Sequence, residues 1–90
     1  MQRKGEINPP PIFNRIPVLR AEHAMSRLDL AQALDVSYQT IGYLERGDFL
    51  PSLDLAFRIS EFFGLPIEAI FSRKRFQPMS KQLYTTVGEP

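Results

Sequence analysis

Residues 27–46 read RLDLAQALDVSYQTIGYLER, and their apolar positions decide the architecture. Leu30, Leu34, Val36, Ile41 and Leu44 recur at the spacing of one helical face, broken in the middle at Asp35. Ser26 and Ser37 each stand just before a helical run, where a hydroxyl can accept a bond from a free backbone N–H. Asp29 adds negative charge to the positive first turn. The expected structure is two short amphipathic helices joined by a tight turn. Small Ala31 lies where the helices approach most closely, and Asp35 takes a left-handed backbone between them.

Helix pairs of this geometry place the second helix in the major groove of DNA. The remaining sequence supplies their supports. Asn14 caps a first helix over about residues 15–24, with Pro17 in its first turn. Ile16, Leu19 and His23 share one side of it. Ser37 caps a third helix that runs to about Arg46, and Gly47 ends it. Ser52 caps a fourth, whose Leu53, Leu55, Ala56, Ile59, Phe62 and Phe63 are expected to be mostly core. Gly64 closes that helix, and Pro66 opens a short fifth one with Ile67, Ile70 and Phe71. Loops of about 3–5 residues between these helices fit a compact all-α domain.

Composition bounds the function. The chain has 90 residues, 43% hydrophobic, with seven Phe and no Trp or Cys. That is one small domain with a core of Phe, Leu and Ile. Without cysteine, disulfides and thiolate metal sites are excluded. No apolar run reaches the roughly 18 residues of a membrane span. No secretory leader is evident either, so a cytoplasmic, nucleoid-associated protein is expected. The formal charge is only +1. From Asn14 to Phe71 five basic residues face eight acidic ones, a net of −3. Positive charge collects outside, at Arg3, Lys4, Arg73, Lys74, Arg75 and Lys81. Binding to nucleic acid would need local clustering, a basic flank, or two copies acting together.

The segments divide into a Pro-rich arm at 1–11, a helical domain at 12–76 and a tail at 77–90. Pro9-Pro10-Pro11 favours an extended arm. A strand at 73–77 or 82–87 fits the tail's β-preferring residues. His23 is the single histidine and has no second ligand near it in sequence, so no metal, cofactor or catalytic role is assigned. The carboxylates form no acid–base pair. Neither a glycine-rich phosphate loop nor a nucleophile motif occurs, so an enzyme is not expected.

The joint order of these pieces resembles the Cro/C1-type helix-turn-helix domain of phage repressors and the xenobiotic-response-element family of bacterial regulators. The matching text is Leu19-Arg20, Ser26 leading into Leu30-Ala31, Val36-Ser37-x-Gln39-Thr40-Ile41, Glu45-Arg46-Gly47, Pro51-Ser52-Leu53 and Leu65-Pro66-Ile67-Glu68-x-Ile70-Phe71. It covers about two thirds of the chain. The resemblance implies a compact five-helix, lambda-repressor-like fold. A short strand is expected at each end, at 12–14 and 71–76. It implies a transcriptional regulator, a repressor in the leading reading, that binds a palindromic operator as a homodimer. An antitoxin-type module that binds a protein partner, and DNA only for autoregulation, is the alternative. Tyr at 38, Asp at 35 and Gly at 42 depart from the family's commoner residues and leave the operator sequence open.

Carried onto this chain, the resemblance assigns base contacts to Tyr38, Gln39, Thr40 and Tyr43. Gln39 can bond adenine N6 and N7 in bidentate fashion. Tyr38 and Tyr43 can meet a thymine methyl or a phosphate, or fill space at a dimer contact. Thr40 can reach DNA or satisfy itself on its own helix. Phosphate contacts fall to Arg27, Ser37 and Arg46, with a plain helix-end role as the alternative for Arg46. The dimer contact is expected from Leu65, Ile67, Phe71 and Phe76. The resemblance also implies an internal salt bridge between Arg20 and Glu45. Gly42 is expected to permit a close approach to DNA or to a neighbouring helix.

Overall fold

The computed structural model describes residues 12–77. The 1–11 arm, a strand at 82–87 and the end of the tail lie outside them. The element order is β1 (Phe13–Asn14), α1 (Ile16–Glu22), α2 (Arg27–Leu34), α3 (Tyr38–Arg46), α4 (Leu53–Phe63), α5 (Ile67–Ile70) and β2 (Phe71–Ser72).

The helix boundaries follow local chemistry. Ser26 and Asp29 form a reciprocal capping box: the Asp29 N–H donates to Ser26 Oγ at 3.0 Å, and the Ser26 N–H donates to Asp29 Oδ2 at 2.9 Å. That second bond holds the Asp29 carboxyl below its ordinary value. Ser37 and Ser52 cap α3 and α4 by accepting from the Thr40 and Leu55 N–H groups. Asp35, with φ 56°, ends α2 in the left-handed region, and Gly47, with φ 77°, ends α3.

Asn14 is not the formal cap of α1; Arg15 holds that position without a side-chain bond. Asn14 Oδ1 nevertheless accepts from the Ile16 N–H at 3.0 Å. Its Nδ2 donates to the carbonyls of Leu44 and Glu45, at 3.1 and 3.2 Å. One side chain thus ties the start of α1 to the last turn of α3.

Ile16, Leu30, Ile41, Ile59 and Ile70 are 0% exposed and form the centre of a core that all five helices enter. Each such side chain contributes about 1.5–3 kcal/mol of burial. Among the described residues every buried side-chain nitrogen and oxygen has a hydrogen-bond partner. The two end strands pair antiparallel, Phe13 with Ser72 and Asn14 with Phe71. They clamp the first and last elements together, and the Arg15 N–H donates to the Ile70 carbonyl at 2.9 Å beside them.

Two expectations are corrected. The pairing stops at Ser72, so 73–77 is not a strand. On α4, Leu55, Ala56, Ile59 and Phe63 are buried, but Leu53 and Phe62 are 70% and 42% exposed. The inward arc of a single helix is too narrow to take every apolar residue of a Phe- and Leu-rich run.

Candidate nucleic-acid interface

Helix α3 has two faces. Ile41 and Leu44, three residues apart, are buried in the core, and this orients the opposite side outward. Tyr38 and Tyr43 are 50% and 48% exposed there, and Gln39 is exposed beside them. A shallow depression of about 140 Å³ runs along this side, lined by Arg27, Tyr38, Gln39, Gly42, Tyr43 and Arg46. Five of the seven residues assigned to base or phosphate contact in the sequence, four from α3 and Arg27 from α2, therefore share one surface. Thr40 is half-buried, and its Oγ1 lies 2.7 Å from Ser37 Oγ. Ser37 and Thr40 hold each other at the α3 N-terminus, which fixes the entry of the helix before any ligand arrives.

Beneath this surface lies a knot of charge. The Glu45 side chain is 2% exposed. Arg20 reaches it from α1 through Nε to Oε2 at 2.5 Å and Nη2 to Oε1 at 3.1 Å. Arg27 reaches it from α2 through Nε to Oε1 at 2.9 Å. Burial by itself would raise the Glu45 carboxyl, but the bonds from Arg20 and Arg27 outweigh it and hold the group below the ordinary carboxylate range. The same bond raises Arg20. Arg20 also donates to the Met25 carbonyl at 3.1 Å, so it stitches α1, the α1–α2 connection and α3 together. The Arg20–Glu45 bridge is legible from the resemblance. The second arginine is not: as a phosphate contact or a free surface side chain, Arg27 gives no sign in the sequence of its bond to Glu45.

Arg27 keeps its Nη end near the outer surface, because residue 42 is glycine. A Cβ at that position would lie 3.2 Å from Arg46 Nη1 and 3.5 Å from Arg27 Nη1. Two guanidinium groups from different helices therefore converge over bare backbone. Gly42 makes room for these cations rather than for a neighbouring helix. Arg46 also bonds Asp48 Oδ2 through Nε at 2.9 Å and lies 5.2 Å from the Tyr43 ring centroid. Its guanidinium also lines the depression along α3. Asn14 supports the site from outside the motif by bonding the last turn of α3. Its only signal in the sequence is an amide side chain next to the end strand, which does not announce a partner 30 residues away.

The residues expected at a dimer contact are all half-buried. Leu65 and Phe71 pack on the core, and Phe76 lies under the Arg15 guanidinium at 4.2 Å. No group of acidic, His or Cys side chains that could hold a metal occurs among the described residues. No helix among them is long and apolar enough to cross a membrane.

Comparison with known proteins agrees with this geometry. Residues 19–70 match the family model described as Helix-turn-helix. An uncharacterized HTH-type transcriptional regulator of Methanocaldococcus jannaschii is 50% identical over 58 residues, spanning 64% of this chain and 88% of that protein. The uncharacterized HTH-type transcriptional regulator YgzD of Bacillus subtilis is 36% identical over the same shares. Among solved structures, a proposed DNA-binding protein from Bacteroides fragilis superposes with a TM-score of 0.60 at 26% identity, covering 68% of this chain and 98% of that one. A transcriptional regulator from Listeria innocua, with a TM-score of 0.58 at 22% identity over 82% and 72% of the two chains, shares the fold. With the matched span running from the middle of α1 to the end of α5 and taking in both α2 and α3, the chain belongs to the Cro/C1-type helix-turn-helix family of DNA-binding transcription regulators.

Proposed function

We propose that this chain is a repressor that inserts α3 into the major groove of a palindromic operator and acts as a homodimer in the cytoplasm, on the nucleoid. The observation that carries the proposal is the outer side of α3. It is open to solvent over Tyr38, Gln39 and Tyr43, while Ile41, Leu44 and Glu45 anchor its other side. Gln39 reads adenine, Tyr38, Thr40 and Tyr43 meet base edges or methyl groups, and Arg27, Ser37 and Arg46 hold phosphates. The regulator names of the relatives support this reading. Two copies joined near Leu65, Ile67, Phe71 and Phe76 would set half-sites about 34 Å apart.

Selection of a binding site from a random duplex library tests the proposal. A palindromic site bound by two copies, with Gln39→Ala relaxing one base pair per half-site, is the expected result. Recovery of no preferred sequence would overturn it. For the dimer, Ile67→Glu should halve the mass measured by sedimentation.

A second reading, an antitoxin-type module, draws on the exposed apolar side chains Leu53 and Phe57, one helical turn apart on α4. It predicts a complex with a different protein that Leu53→Glu disrupts while Ile67→Glu does not.

A further inference from the structure

The helical domain is short of the positive charge that its groove-side surface needs. Four of the five arginines between Asn14 and Phe71 already bond carboxylates: Arg20 and Arg27 share Glu45, Arg46 holds Asp48, and Arg58 holds Asp54. Beyond β2 the sequence is Arg73-Lys74-Arg75. Among the described residues no carboxylate pairs with these three, and all are exposed.

The segment has a defined place. The Lys74 N–H donates to Ser72 Oγ at 3.0 Å, which shapes the chain as it leaves the strand. Two arginine–aromatic contacts then cross in opposite directions. Arg75 lies over the Phe13 ring at 5.1 Å, and Arg15 lies over the Phe76 ring at 4.2 Å. Each side of the contact gives one cation and one ring, so the tail is docked against β1.

A depression of about 360 Å³ opens between this docked tail and the end of α3, with Phe13, Arg46, Gly47, Arg75 and Phe76 in its wall. Arg46 also lines the depression along α3 that carries Gln39 and the two tyrosines. It is the shared wall of both. Arg75 therefore continues the surface past Arg46, beyond the C-terminal end of the reading helix. Glu45 also touches this depression, but its charge is covered by Arg20 and Arg27.

We infer that Arg73-Lys74-Arg75 is a second DNA-binding element that grips the duplex backbone beside the bases read by α3, its guanidinium and ammonium groups neutralising phosphates without regard to sequence. This rests on α3 being the reading helix. Phosphate contacts orient a protein and strengthen binding, while base contacts select the site. The two contributions are therefore separable.

The test is the affinity of the full chain for its selected duplex and for a scrambled duplex, each across a salt series. The variants are the triple R73Q/K74Q/R75Q, Arg75→Lys and Gln39→Ala. The triple variant should flatten the plot of log affinity against log salt by about two to three units per bound copy, about five for the dimer, since each phosphate contact contributes about 0.9. It should weaken both duplexes by the same factor. Arg75→Lys, which keeps the charge, should keep the slope. An unchanged slope in the triple variant, with Gln39→Ala still lowering discrimination between the two duplexes, would overturn the inference and leave the α3 reading intact. If the triple variant flattens the slope but Gln39→Ala changes nothing, the tail element stands and the α3 reading falls.

Discussion

The two faces of α3 solve opposite problems within nine residues. Its inner face buries Ile41, Leu44 and the Glu45 carboxylate, and every polar group there has a partner inside the protein. Its outer face holds Tyr38, Gln39 and Tyr43 exposed, with side-chain hydrogen-bonding capacity left over. The inner face is closed so that the outer face can be held still and stay open. Arg27 works on both sides at once, with Nε on Glu45 and its Nη end over Gly42. Charge used to fix the helix and charge offered to a ligand are here partly the same charge.

This contrast can be broken from the inside first. Ile41→Ala should cost about 2–5 kcal/mol of folding stability, because it leaves a cavity under the helix. Urea or thermal unfolding measures it, and DNA binding by the fraction still folded should suffer as well.

Arg20→Ala strikes the charged knot. Removing one partner of a buried pair costs about 3–5 kcal/mol, and the lower end is expected because Arg27 still holds Glu45. The same variant should weaken DNA binding on every sequence, since α3 loses its tie to α1. The knot also predicts an acid limb. Glu45 is held below the ordinary glutamate range, so its contribution is complete above that range and is lost as pH falls through the lowered folded value. Glu45→Gln should remove that portion of the stability-versus-pH curve. Overlapping acid limbs in wild type and variant would show that the knot carries no net stabilisation.

On the outer face the expected pattern reverses. Gln39→Ala should change stability by less than about 0.5 kcal/mol, as an exposed substitution does. Discrimination at one base pair should fall by about 1–3 kcal/mol. Competition binding with single-base operator variants reads this directly.

Gly42→Ala is the smallest and sharpest test, since residue 42 lies between the two faces. Alanine favours the helix by about 1 kcal/mol. The new methyl would press on the flexible ends of Arg46 and Arg27, of which Arg46 is half-exposed and free to shift. Stability should rise slightly while affinity falls alike for all sequences. A fall in both would mean that the two guanidinium groups are fixed parts of the fold.

Much of this architecture is legible in the sequence. Ser26, Ser37, Ser52, Asp35, Gly47 and Gly64 announce helix ends because capping is a local interaction, complete within four residues. The Leu and Ile spacing announces which side of α2 and α3 turns inward. Ala24 was not legible: it adopts φ 53° without glycine's freedom, imposed by the short connection into α2. Nor was the exposure of Leu53 and Phe62, because apolarity says that a side chain prefers burial, not that room exists for it.

By itself, the sequence determined the helix order, the caps and the inward stripe of α2 and α3, since each depends on neighbours a few residues away. Only the tertiary structure decided that Arg27 joins the Arg20–Glu45 pair and which distant groups meet. Arg20, Arg27 and Glu45 come from three helices, Asn14 ties β1 to the end of α3, and Arg75 meets Phe13 across 62 positions. Ion pairs and stacking act over a few ångströms in space, so which partners meet is set by packing and leaves no periodic trace along the chain.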